Sequence, residues 1–203
     1  MNNKIIFLVI GLVIGGLAVF GYISAKPSVY PGAMIGRNTI SSNSEVMDAH
    51  FIEQMIPHHE DAVTMSKLAE NKATRPEVKK LAVNIISSQT KEIEQMKVWY
   101  KDWFGKEIPA GDRAMNEHGM MGNNSGMNMG MSGDESDMAR LTDAEDFDKV
   151  FIEQMIPHHQ SAIMMANMLK TGTTRPEMKE LAENIIASQT SEIDQMRQWL
   201  KSW

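Results

Sequence analysis

FIEQMIPHH spans Phe51–His59 and returns unchanged at Phe151–His159. The same offset of 100 residues relates TRPE at Thr74–Glu77 and Thr174–Glu177, SQT at Ser88–Thr90 and Ser188–Thr190, and QM at Gln95-Met96 and Gln195-Met196. A repeat held over so many positions makes residues 48–104 and 148–203 two copies of one unit. Within the first copy Phe51, Met55, His58, Ala62, Met65 and Ala69 recur by fours and threes, which is one face of a helix. A turn near Asn71–Ala73 follows. Thr74-Arg75-Pro76-Glu77 then has the Thr-x-x-Glu pattern of a capping box, with proline tolerated in the first turn. The next helix presents Val78, Ala82, Ile85, Gln89, Glu92, Met96, Trp99 and Trp103 on one face. Each copy therefore reads as a helical hairpin too small to bury much alone. Two hairpins together predict an all-α fold, a four-helix bundle with side chains projecting inward from facing helices. Two separate hairpins, or dimers of each, are the alternative.

The chain divides accordingly. After Lys4 the stretch Ile5–Ile23 is uncharged and, at ~1.5 Å per residue, about long enough to cross a bilayer. Residues 1–25 are expected to form an N-terminal transmembrane anchor or a signal. Lys4 favours an orientation that leaves the rest outside the cytoplasm, in the periplasm or beyond the cell, and secreted if the segment is cleaved. Residues 26–44 read as a tether, 45–104 as the first hairpin, 105–147 as a Met- and Gly-rich linker and 148–203 as the second hairpin.

Polar residues on the apolar faces carry the chemistry. A turn centred near residue 73 places residue 58 level with about residue 88, so His58 is expected to face Gln89 and Met55 to face Glu92. The second copy pairs His158 with Gln189 and Met155 with Glu192. Unpaired, such groups are costly to bury. One layer thus gathers His58, His59, His158, His159, Glu92, Glu192, Gln89, Gln189, Met55 and Met155, with Met96 and Met196 about one turn away. Such a layer is either a metal site or a hydrogen-bonded network across the bundle. Met65 and Met165 read as packing, and the four tryptophans as packing at the bundle end.

Nineteen methionines and no cysteine narrow the metal. A soft site here must use thioether and imidazole. In the linker, His118, Met120, Met121, Met127, Met129 and Met131 stand among Gly and Asn, where no core needs filling. Closely spaced thioethers suit copper as Cu(I), with Ag(I) as a mimic. Acidic residues outnumber Lys plus Arg by 26 to 20, a net charge of -6, which argues against nucleic acid as a partner and favours a metal ion. Any copper-trafficking protein partner is unidentified by the sequence.

FIEQMIPHH followed by SQTxEIxQMxxW resembles the ferritin-like domain of unknown function three-oh-five, over both repeats. That resemblance implies an exported, Met-rich protein on a four-helix bundle, linked in some members to copper binding and resistance. It implies Met55, His58, His59, Gln89, Glu92, Met96 and their second-copy equivalents as ligand candidates; the linker methionines lie outside the shared motif. The expected function is extracytoplasmic copper sequestration or resistance without turnover. One alternative is a metal-dependent oxidase. Di-iron bundles use Glu-x-x-His pairs, whereas this chain has Glu-x-x-x-x-His-His at Glu53 and Glu153, and Gln160 stands where the first copy has Glu60. The other alternative is a structural bundle whose methionines only pack. Imidazole ligands predict that copper held by the core is lost on acidification near pH ~6.5, while thioether-held copper is not.

Overall fold

The computed structural model describes residues 39–108 and 135–203, and among these it is entirely helical. Helix α1 runs Thr39–Lys72, α2 Pro76–Phe104, α3 Glu135–Thr142, α4 Phe147–Gly172 and α5 Pro176–Ser202. Helices α1 and α2 form one hairpin, α4 and α5 the other, and α1 packs on α4. Helix α1 begins inside the segment read as a tether, and α3 lies inside the segment read as a linker. The stretch Ile5–Ile23 and the linker cluster of His118, Met120, Met121, Met127, Met129 and Met131 lie outside the described residues. Among the described residues no helix is long and apolar enough to cross a membrane.

The helix boundaries follow local chemistry with one departure. Pro76 and Pro176 open α2 and α5 at positions where an N–H has no partner in any case. Gly105, at φ 66°, closes α2 in the left-handed conformation that glycine adopts without penalty, its N–H donating to the Lys101 carbonyl. The expected capping box does not form: the residue preceding α2 is Arg75, and no side chain of its own copy caps the helix. The cap comes from the other hairpin. Asp148, buried in the first turn of α4, accepts from the Thr74 N–H at 3.0 Å, the Arg75 N–H at 2.9 Å and the Thr74 hydroxyl at 2.6 Å. Arg75 Nη1 adds a charged contact at 3.1 Å. The second copy mirrors this. Arg175 Nε donates to Asp48 at 3.1 Å, and the Thr174 N–H donates to Ser44 Oγ at 2.9 Å. Burial pushes the Asp48 carboxyl above its ordinary range, with Thr173 and Arg175 opposing.

The tryptophans do pack at the bundle ends, and across the copies. Trp99 stacks on Trp103 at 5.2 Å and Trp199 on Trp203 at 6.3 Å. The Arg75 guanidinium lies 4.0 Å over the Trp203 ring, and that of Arg175 lies 4.2 Å over Trp103. The structure is thus pseudo-symmetric, with each hairpin completing the other.

Two apolar clusters fill the interior, and each draws on all four long helices. One joins Ala49–Ile56 of α1 and Ile93–Tyr100 of α2 to Ala162–Leu169 of α4 and Met178–Ile185 of α5. The other joins Ala62–Ala73 and Val78–Ile85 to Leu141 of α3, Phe147–Met155 of α4 and Ile193–Met196 of α5. Burying each Ile, Leu or Met contributes roughly 1.5–3 kcal/mol, so a core shared by both hairpins makes the intramolecular bundle the packed state. Between the clusters, at mid-length of every long helix, lie His58, His59, Gln89 and their second-copy partners.

Candidate metal centre

In this middle layer His59 and His159 are completely buried, as are the thioethers of Met55, Met96, Met155 and Met196. His58, Gln89 and Gln189 are also buried. Glu92 and Glu192 keep side-chain exposures of 20% and 16%, so the layer meets solvent at its carboxylates.

The pairing differs from the register expected. His59, not His58, reaches across its hairpin. Its Nε2 lies 2.7 Å from Glu92 Oε2, and His159 Nε2 lies 2.7 Å from Glu192 Oε2. Neither Gln89 nor Gln189 bonds a histidine: both Oε1 atoms are buried without a partner. His58 turns toward the other copy. Its ring lies 3.7 Å from that of His158, centroid to centroid, and its Nε2 is 2.6 Å from Ser161 Oγ. Ser161 itself donates to the His158 carbonyl at 2.9 Å. The counterpart of Ser161 in the first copy is Asp61, so the repeat does not point to this serine.

Proton positions follow from these partners. A carboxylate only accepts, so His59 and His159 carry the proton on Nε2. Ser161 Oγ spends its hydrogen on a carbonyl and therefore accepts from His58 Nε2–H. In each of these three rings Nδ1 keeps its lone pair, and Nδ1 is in each case buried without a protein partner. His158 has no partner at either nitrogen. Buried imidazole nitrogens without hydrogen bonds, beside buried thioethers, form an expensive interior unless something accepts their lone pairs. A carboxylate bonded to one imidazole nitrogen while the other stands bare is the usual support for a ligating histidine, fixing ring and tautomer and raising basicity. Glu92 and Glu192, read from the sequence as ligands, are placed here as partners of His59 and His159. Among the described residues no three His, Asp or Glu side chains come together in a group able to hold a metal ion. A metal in this layer therefore needs thioether or amide donors as well.

Burial sets the titration. It holds the His58 imidazole at about 3, below the ordinary 6.5, with His59 and His159 adding repulsion. His158 is driven well down for the same reason, with His58, His159 and His59 contributing. The acid sensitivity expected near neutrality is thereby displaced downward for this pair. Its sign for folding is fixed. Below pH 6.5 the unfolded chain takes up protons that the folded chain refuses, so stability present above 6.5 is lost as pH falls toward 3. The melting temperature of chelator-treated protein is expected to fall between pH 7 and 5. The fall should be shallower in a His58→Leu/His158→Leu variant. Equal slopes for both proteins would contradict this account.

A two-hairpin helical bundle with a buried imidazole–thioether layer and carboxylates at its rim defines the class. The chain belongs to the family described as Domain of unknown function (DUF305), whose profile matches residues 48–200. It is similar to CopM solved in the Cu(II)-bound form, at 49% identity and a TM-score of 0.66, covering 77% of this chain and 97% of that one. The Cu(I)-bound form of CopM gives 46% identity and 0.63, covering 77% and 96%. A DUF305 protein of Streptomyces coelicolor described as secreted is 28% identical with a TM-score of 0.65, covering 77% and 93%. Uncharacterized protein L153 of Acanthamoeba polyphaga mimivirus is 42% identical over 57 residues, 28% of this chain. The chain spans 38% of the length of that curated relative.

Proposed function

We propose that this protein binds copper outside the cytoplasm and sequesters it, as Cu(I), in a ferritin-like bundle. The observation that carries the reading is the set of bare, buried Nδ1 atoms of His58, His59, His158 and His159 amid the thioethers of the middle layer. The likeness to CopM, solved with copper, supports it. Copper is cargo here, and the protein's part is to hold it. Glu92 and Glu192 orient and polarise His59 and His159; the thioethers of Met55, Met96, Met155 and Met196 supply soft donors that exclude hard cations; the two apolar clusters keep water from the ion. The linker residues His118, Met120, Met121, Met127, Met129 and Met131 add a thioether-rich capture segment, and Ag(I) is the natural mimic. The uncharged stretch Ile5–Ile23 after Lys4 supports an exported bundle, and a relative described as secreted is in keeping with that.

Purified protein titrated against a Cu(I) chelator, in parallel with Zn(II), tests the assignment. Cu(I) is expected to bind the more tightly, because no thiolate and no group of three imidazoles and carboxylates is there for zinc among the described residues. Tighter zinc binding, or failure to take copper from the chelator, would sink the copper reading.

A further inference from the structure

The geometry points to a second soft-metal site, for a monovalent ion such as Cu(I) or Ag(I), in a surface groove between α1 and α4. The groove, of about 580 Å³, is lined by Met47 and His50 of α1 and by Met165 and Met168 of α4, with Gln54 and Phe51 beside them. Each helix contributes a pair spaced i, i+3, which places two donors on one face. Two such pairs on packed helices are how helical bundles assemble metal sites. It is separate from the histidine layer and shares no residue with it.

Three features set the groove apart from ordinary surface. First, Met47 and Met168 are 36% and 63% exposed, a poor use of apolar side chains if packing were their task. Second, the Met47 sulfur is seated against the C-terminal end of α4, where Gly172 makes room for it: a Cβ there would overlap Sδ. Met168 lies one turn before that glycine, on the same helix. Third, the second copy lacks three of the groove's four donors and keeps only Met65, the counterpart of Met165. Met47, His50 and Met168 correspond to Phe147, Val150 and Leu68. There Leu141 of α3 is fully buried in one cluster with Phe147, Phe151 and Met65, and Met138 and Leu68 pack against that cluster. At the three positions where the copies differ, one has hydrocarbon side chains, and the other has two thioethers and an imidazole beside Met165 in a groove open among the described residues. The Gln54 amide donates to His50 Nε2 at 2.9 Å, so that nitrogen's lone pair turns to a metal only when the Gln54 side chain swings aside.

The full chain, labelled with [methyl-13C]methionine, is titrated with Ag(I) in chloride-free buffer and followed by NMR. Met47→Leu and Met168→Leu assign the two methyl signals; Met168 is exposed enough that its replacement leaves the fold intact. The two signals are expected to shift together and saturate. They should do so equally in a His58→Leu/His158→Leu background, which separates this site from the histidine layer. His50→Ala should weaken the groove's silver affinity at least about tenfold. Methyl signals of Met47 and Met168 that stay in place while silver saturates the remaining methionines would overturn the proposal. So would a drift that never saturates.

Discussion

Asp148→Ala is expected to destabilise the metal-free bundle by about 1–2 kcal/mol, within the ~0.5–2 kcal/mol range for losing a helix N-terminal cap. One carboxylate satisfies the Thr74 and Arg75 N–H groups, the Thr74 hydroxyl and the Arg75 guanidinium. Its removal strips α2 of its N-terminal cap and leaves the Thr74 and Arg75 donors to solvent, Thr74 being exposed and Arg75 part-exposed. Against a total stability of ~5–15 kcal/mol that is a large fraction. Asp148→Asn keeps an acceptor and should recover part of the loss. Denaturant melts of the three proteins measure it. An alanine variant as stable as the parent would mean that α2 finds its cap elsewhere.

His58→Leu/His158→Leu is expected to separate binding from stability. The two rings lie 3.7 Å apart, centroid to centroid, and tilted by 40°, both neutral, and His158 has no hydrogen-bond partner at either nitrogen. Replacing groups of that kind with hydrocarbon of similar size removes a desolvation penalty and leaves little unpaired, since Ser161 still donates to the residue 158 carbonyl. The metal-free variant should therefore melt at the parent's temperature or above it at pH 7. Its Cu(I) affinity in the bundle should fall at least about tenfold. Thermal melts beside chelator competition on the same samples decide the matter. A much lower melting temperature with copper binding unchanged would make the layer a packing network and remove these histidines from the site.

The repeat made the hairpins and the buried stripe legible, because a helix face is a local property of spacing. Phe51, Met55, His58, Ala62, Met65 and Ala69 are all buried as their periodicity requires. The cross-helix register was less accessible. It depends on the turn centre, and the His59–Glu92 pair is centred between residues 75 and 76 rather than at 73. Adjacent residues on a helix differ by about 100°, so this small error exchanged the roles of His58 and His59. Asp148 as a cap could not be read at all, since its partner Thr74 lies 74 residues away in the chain. Ser161 and the groove residues Met47, His50 and Met168 escaped for a related reason. They sit where the two copies differ, and a search for what the copies share passes over them.

The exchange of caps and ring contacts has a bearing on ancestry. Asp48 and Asp148, Arg75 and Arg175, and Trp103 and Trp203 occupy equivalent positions, and each contact runs from one copy to the other. Those are the contacts of an isologous dimer, in which one patch meets itself about a two-fold axis. A free-standing hairpin with one Asp, one Arg and one Trp at these positions carries everything that such a pairing uses. The present chain thus holds the contacts of such a dimer within one covalent chain. With both halves in one chain, their pairing does not depend on concentration, and each half is free to differ from the other. Tyr100 could then donate to a buried Glu53 in one half, while Leu200 and a surface Glu153 bridged to Arg140 took the same places in its twin.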